Sequence, residues 1–165
     1  MAFRNRLITL VMYLALTVEL SAQVPSPKLP DFHFFRMDKT LFTPGNLPKG
    51  QPLFFFFFDT DCDHCQHAMT NLAKNYRDYQ SVAIYLITLS DKDRISAFMS
   101  KFGPGLATKK NVTLLQDVNN NFITQFKPRR YPAMFLYSVT HELLDYEDNE
   151  ESMFRFSNQL KKFKK

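Results

Sequence analysis

The stretch LFFFFFDTDCDHC, Leu53 to Cys65, decides how this chain is read. Its first six residues, Leu53 to Phe58, are continuously apolar. Thr43 to Pro52 before it holds Pro44, Gly45, Pro48, Gly50 and Pro52, which marks a loop, and Asp59 closes the run. Six apolar residues without alternation fit a central strand buried on both faces. The same composition at a sheet edge would invite aggregation. Cys62-Asp63-His64-Cys65 then opens a helix. Two cysteines at i and i+3 in a first helical turn share a face and are near enough to bridge. The start of the helix offers unpaired N–H groups and the positive end of its dipole. These favour a thiolate on Cys62, the form that attacks a disulfide, and Cys65 can resolve the mixed disulfide that results. A structural zinc site needs about four ligands, usually two separated pairs, and only Cys62, Cys65 and His67 are local. A merely structural disulfide here would close a very short loop and constrain little.

Outward from this stretch, strand and helix patterns alternate. Phe32 to Arg36 is a strand candidate turned at Asp38-Lys39. Asp63 to Tyr79 is helical, with Met69, Leu72, Tyr76 and Tyr79 on one face. Val82 to Leu89 is a strand. Asp91 to Phe102 is a helix with Ile95, Phe98, Met99 and Phe102 inward, ended by Gly103-Pro104. Val112 to Leu115 is a short strand, and Asp117 to Phe126 a short helix with Phe122, Ile123 and Phe126 inward. Ala133 to Tyr137 and Glu142 to Tyr146 form a hairpin. Ser152 to Phe163 is the last helix, with Met153, Phe156, Leu160 and Phe163 on its stripe, and Lys161, Lys162, Lys164 and Lys165 make a solvated basic end. This order predicts an α/β three-layer domain with a mixed central sheet flanked by helices.

Composition bounds the function. The chain has 165 residues, 45% hydrophobic and 22% charged, which excludes wholesale disorder. Phenylalanine, at 18 residues with no tryptophan, supplies much of the core. A net charge of +5 with no arginine-rich stripe gives no case for nucleic acid. Two cysteines exclude a multi-disulfide scaffold.

Residues 1–23 read as a secretory signal peptide. Arg4 and Arg6 form the positive region, Leu7 to Val18 the apolar run, and cleavage falls after Ala22 or Gln23. Twelve helical residues rise roughly 18 Å, short of a ~30 Å hydrocarbon core. An uncleaved anchor is the alternative, and membrane contact is expected only in that case. Removal of Arg4, Arg6 and Glu19 takes away two cations and one anion, which leaves +4. Residues 24–30, with three prolines, are an extended linker, and 31–165 the folded domain. Export places the chain in the periplasm or cell envelope, where a cysteine pair is stably oxidised or does redox work on other proteins.

With these residues in view, the chain resembles the thioredoxin-fold, periplasmic thiol-disulfide oxidoreductases related to the redoxins. The resemblance covers about Pro30 to Lys162. Leu29-Pro30-Asp31-Phe32 looks like the family's approach to its first strand, and Leu53 to Phe58 with Cys62-Asp63-His64-Cys65 looks like its active-site strand and motif. Asp117 and Phe126 are similar to the segment that leads to a proline. Tyr131-Pro132 before Ala133 to Tyr137 is similar to the cis-proline and the strand after it. The resemblance implies a thioredoxin-like fold with an extra helix and strand between the motif helix and the cis-proline. It also implies that Pro132, with Tyr131, lines a groove for substrate backbone. An ordinary proline opening a strand is the alternative. Asp61 stands where the family commonly has Trp, and Asp-His lies between the cysteines where thioredoxin has Gly-Pro. No acidic residue occupies Leu53 to Phe58, where thioredoxin keeps one. The peroxiredoxin pattern has Thr three residues before the reactive Cys; Asp59 holds that place, which argues against a peroxidase.

His64 is expected to stabilise a Cys62 thiolate by charge or hydrogen bonding, with a solvated histidine as the other reading, while Asp59, Asp61 and Asp63 oppose a thiolate by like charge. His67 is expected to face solvent, and His33 carries no role. His141, at the expected hairpin tip, permits copper held by two thiolates and a histidine, as in thioredoxin-fold copper chaperones. Asn111-Val112-Thr113 is a glycosylation triplet, with a strand-initiating Asn as the other reading. The expectation is an exported thiol-disulfide oxidoreductase acting through Cys62 and Cys65 on protein thiols or disulfides. The pair is its own redox couple, so no organic cofactor is expected. A copper-binding chaperone and a non-catalytic interaction protein are the alternatives. In protein from the native host, N-terminal sequencing is expected to begin near Gln23 or Val24; intact Met1 in soluble cytosolic protein would defeat the export reading.

Overall fold

The computed structural model describes residues 24–161. The expected signal peptide and, at the other end, Lys162, Phe163, Lys164 and Lys165 lie outside the described residues. The elements in chain order are β1 (Phe34–Arg36), β2 (Leu41–Phe42), β3 (Leu53–Phe57), α1 (Asp63–Lys74), β4 (Ala83–Thr88), α2 (Lys92–Phe102), β5 (Val112–Gln116), α3 (Asn121–Phe126), β6 (Ala133–Tyr137), β7 (Leu143–Glu147) and α4 (Met153–Lys161). The strands form one mixed sheet in the order β2-β1-β5-β4-β3-β6-β7.

The phenylalanine run is the middle of this sheet. β3 pairs in parallel with β4 and antiparallel with β6, so both its edges are hydrogen-bonded. Alternation of side chains across a strand sends Phe54, Phe56 and Phe58 into one core, with Cys65, Ala68, Met69 and Leu72 of α1 and Phe156 of α4. Leu53, Phe55 and Phe57 enter the other core, with Phe32, Phe34, Phe122, Phe126 and Phe135. All six side chains from Leu53 to Phe58 are buried. At roughly 1.5–3 kcal/mol each, they contribute on the order of 10 kcal/mol before entropy is charged, which rivals the net stability of a domain. This strand is therefore fixed at both edges and on both faces.

Several elements differ from the sequence expectation. β2 carries no sequence signal: two residues show no periodicity, yet Phe42 is buried and pairs opposite Phe34. The motif helix ends at Lys74 rather than Tyr79. Asn75 leaves helical geometry and its side chain donates to the carbonyl and side-chain oxygen of Asn71. Tyr76–Tyr79 is a separate 3₁₀ turn, and Tyr79 stays buried, its hydroxyl donating to Met153 O at 2.7 Å. The next helix starts at Asn121, not Asp117. The buried Asp117 carboxylate accepts from the N–H groups of Asn119, Asn121 and Phe122, which fixes residues 117–120 as a loop. Ile123, expected inward, is exposed.

Asn111 is a structural residue. Its amide donates to the carbonyls of Tyr79 and Val82, and its side-chain oxygen accepts from the Tyr76 hydroxyl. Residues 24–30 are extended and hydrogen-bonded to the domain: Ser26 N to Phe126 O, Leu29 N to His141 O, and Leu143 N to Pro27 O. No helix among the described residues is long and apolar enough to cross a membrane.

Phe122 stacks on Phe126 at 4.1 Å and on Phe57 at 4.4 Å between centroids. Phe122→Ala is expected to cost about 3–5 kcal/mol, seen as a lower urea midpoint with an unchanged slope. A midpoint like that of the wild type would mean this stack does not hold α3 to the sheet.

Candidate active site

The site follows from where β3 ends. Phe58 N donates to Ile87 O, which keeps the chain on the sheet for one residue beyond the strand. The chain then turns through Asp59 to Asp61. Asp59 Oδ1 accepts from Asp61 N at 2.8 Å, and Thr60 is fastened to Ser90 through their hydroxyls at 2.8 Å. Cys62 emerges as the N-cap of α1 in extended geometry. Its sulfur accepts from the backbone N–H of Cys65 at 3.3 Å. The capping interaction expected of a serine or aspartate is thus made by sulfur, which takes up one of the orphan donors of the helix start.

The two cysteines occupy different environments. Both are free thiols; Cys62 is half-buried and Cys65 fully buried. Burial among Phe56, Phe58 and Met69 pushes the Cys65 thiol well above its ordinary value, and the hydrogen bond with the Cys62 side chain adds to the rise. Cys65 is a neutral thiol at physiological pH.

Tyr131 packs against the core that holds Cys65 and that Cys62 also touches, and the peptide bond between Tyr131 and Pro132 is cis. The Tyr131 ring packs on Phe57 at 4.8 Å and touches both cores. Burial first, then the charges of Asp59, Cys65, Asp117 and Cys62, pushes its phenol up to about 12, so it is a neutral hydroxyl close to both sulfurs.

The charged neighbours are arranged differently from the sequence reading. Asp61 forms an ion pair with Arg94 of α2, so its carboxylate is offset by a cation 33 residues away. Asp63 is exposed in the first turn of α1. His64 donates from Nδ1 to Glu150 Oε2 at 2.8 Å, and His67 Nδ1 is 3.4 Å from Glu150 Oε1. His67 therefore faces solvent with a partner. Glu150 lies in the 3₁₀ turn Glu150–Ser152 that leads into α4. Sequence reasoning missed Glu150, Arg94 and Asp148, because no spacing links residues so far apart.

His141 corrects the copper reading. It sits in the β6–β7 turn at positive φ, after the end of β6 that pairs with the beginning of β3. Cys62 follows the opposite end of β3. The length of the sheet separates them, so two thiolates and His141 form no common ligand set. No group of three metal-binding side chains occurs among the described residues.

The family model described as AhpC/TSA matches residues 25–144. No curated protein matches the sequence significantly. Among solved structures, a secreted disulfide oxidoreductase of Mycobacterium tuberculosis is similar at 18% identity and TM-score 0.64, over 79% of this chain and 95% of that one. A thioredoxin-like protein of Porphyromonas gingivalis is similar at 16% identity and TM-score 0.64, over 84% of this chain and 93% of that one. A peroxidoxin of Mycobacterium tuberculosis is similar at 14% identity and TM-score 0.65, over 86% of this chain and 98% of that one. At such identities the likeness carries the fold, which is thioredoxin-like.

Unequal exposure has a direct readout. In the reduced protein at pH 7, iodoacetamide is expected to modify Cys62 and spare Cys65. Cys65 should stay unlabelled past about pH 9, above the ordinary thiol value of about 8.5, because its raised value keeps it protonated. Peptide mass mapping checks this; equal labelling would contradict the buried neutral thiol.

Proposed function

The chain belongs to the AhpC/TSA family, and from that footing we propose that it is a thiol-disulfide oxidoreductase working through Cys62 and Cys65. The observation that carries the reading is the asymmetry of the pair: a half-buried sulfur capping a helix start and a buried neutral thiol one turn on. Cys62 attacks one sulfur of a substrate disulfide, and the other leaves as a thiolate. Cys65 then attacks Cys62, surrenders its proton, and releases the substrate as a dithiol. Two electrons pass to the substrate, and Cys62–Cys65 closes as a disulfide. Running backwards, the same steps oxidise a substrate dithiol. The electrons need no organic cofactor.

Tyr131 and Pro132 are proposed to shape the groove that seats the substrate backbone beside Cys62. His64, Asp61 and Asp63 are proposed to tune the couple. Of these, Asp61 is the weakest contributor, since Arg94 already offsets it. Protein thiols or disulfides, with a separate redox protein to regenerate the pair, are the partners this chemistry requires. The signal-like residues 1–23 and the secreted relative of the same fold support an exported location.

Disulfide exchange is favoured over peroxide reduction by one feature: Asp59 stands three residues before Cys62, where the peroxiredoxin pattern has threonine. A carboxylate there repels the anionic sulfur that peroxide attack requires. The direction of exchange follows from the potential of the pair. A value near about −270 mV marks a reductant and one near about −120 mV an oxidant.

Cys65→Ser should attack but not resolve, so mixed disulfides through Cys62 should accumulate. Cys62→Ser should accumulate almost none. Acid quench, alkylation and non-reducing gels read the difference. Equal trapping by both variants would overturn this assignment of roles; rapid turnover of hydrogen peroxide by the wild type would move the reading to a peroxidase.

A further inference from the structure

A cavity of about 330 Å³ opens on the motif side of the cis-proline, lined by His64, Arg130, Tyr131, Asp148, Asn149 and Glu150. Its lining joins three segments: the start of α1, the residues just before Pro132, and the connection from β7 to α4. Any chain seated against Pro132 with its sulfur at Cys62 has neighbouring residues within reach of this cavity. Its charges therefore bear on which substrates fit.

The carboxylates here are turned inward and hydrogen-bonded, and Asp148 is also offset by arginine. Asp148, whose side chain is only 11% exposed, binds Arg129 through Oδ2 at 2.9 Å and Arg130 through Oδ1 at 3.1 Å. It also accepts from the Tyr146 hydroxyl at 3.2 Å. Glu150, 21% exposed, is occupied by His64 and His67. The cationic partners form the outer layer: the Arg130 side chain is 67% exposed and Arg129 52%. Arg130 is held by two bonds, from Nε to Asp148 O and from Nη2 to Asp148 Oδ1, both at 3.1 Å. A guanidinium has five N–H donors, so three remain. Arg129 is fixed by Asp148 and by the Tyr146 ring, 4.8 Å beneath its guanidinium. Arg130 and Arg129 against Asp148 leave one cation over within this trio, facing the Glu150 carboxylate across the cavity, and the trio's geometry is set before any ligand arrives. On the other flank of the motif, Asp61 is paired with Arg94 and Asp63 remains as an exposed carboxylate.

We infer that Arg130, steadied by Asp148 and assisted by Arg129, is a specificity residue that selects protein substrates carrying an acidic residue beside the reactive cysteine. A carboxylate matches the guanidinium fork in two parallel hydrogen bonds, and Arg130 is pre-ordered, so little side-chain freedom is lost on binding. A lysine at the same place would meet Arg130 with like charge. This inference rests on the disulfide-exchange reading of the site.

The test uses two peptides with one internal disulfide each, identical except for flanking Glu or flanking Lys residues. Reduced protein is mixed with excess peptide, quenched with acid and alkylated, and oxidised Cys62–Cys65 is counted over time. The wild type is expected to react about threefold to tenfold faster with the Glu peptide at low salt. Arg130→Gln should bring that ratio close to one, and Arg130→Lys should keep part of it. Raising the salt to about 1 M, where charges are screened within about 3 Å, should collapse the ratio in the wild type itself, which keeps the test valid should a variant fold poorly. Equal rates for the two peptides, or an unchanged ratio in Arg130→Gln, would overturn the charge preference. Bis(2-hydroxyethyl) disulfide, which is uncharged, separates the two levels. If the wild type reacts with it but does not distinguish the peptides, only the preference falls. If the wild type reacts with none of the three, the exchange reading falls and this inference with it.

Discussion

β3 is hydrogen-bonded along both edges and packed on both faces, so it has nowhere to move. The rest of the site inherits its position from this. Phe57 pairs with Ala133 at the same end of β3 from which the motif emerges. One ladder therefore sets both the height of the helix start and that of Pro132. The registry of the two proposed substrate-contacting segments is a property of the sheet and not of the loops that carry them. Because side chains change face at every residue, a slip of one position would exchange the two cores wholesale.

The boundary between core and surface runs through a single helical turn. Cys65 shares its surroundings with Phe56, Phe58 and Met69, while Cys62 looks outward from the cap. Around the opening, charges from distant parts of the chain are matched in pairs: Asp61 with Arg94, His64 with Glu150, Arg130 with Asp148. Each pair ties the opening to an element that could otherwise shift: α2, the start of α4, and the end of β7. Exposed pairs of this kind add little stability one by one. On the proposed reading, their weight lies in fixing which charges a visiting chain meets.

Strong local signals made the central strand, the motif at a helix start, the order of the main elements and the mixed sheet legible in the sequence. The phenylalanine run has no alternation, and the cysteine spacing fits one helical turn. Where the reading failed, short local structure had won over periodicity. Phe42 anchors a two-residue strand too brief to show a pattern, Asn75 stops a helix whose apolar face continues into Tyr79, and the Asp117 carboxylate delays the start of α3. The copper alternative failed on topology, which placed His141 at the wrong end of the sheet. Glu150 and Asp148 could not be found beforehand, since their meaning depends on contacts made 86 and 18 residues away.

The strapping of residues 24–30 has a geometric outcome. Ser26 accepts at its carbonyl from the Tyr137 hydroxyl, and Leu29 is tied to His141. Both partners lie where β6 ends, beside the beginning of β3 and so at the pole of the sheet opposite the cysteines. A tether joined at Val24 would therefore pull on that far pole. The thiol face would then point away from the attachment, which on the proposed reading leaves it open to protein substrates. An attachment through the chain just before α4 would instead crowd Glu150 and the mouth of the groove.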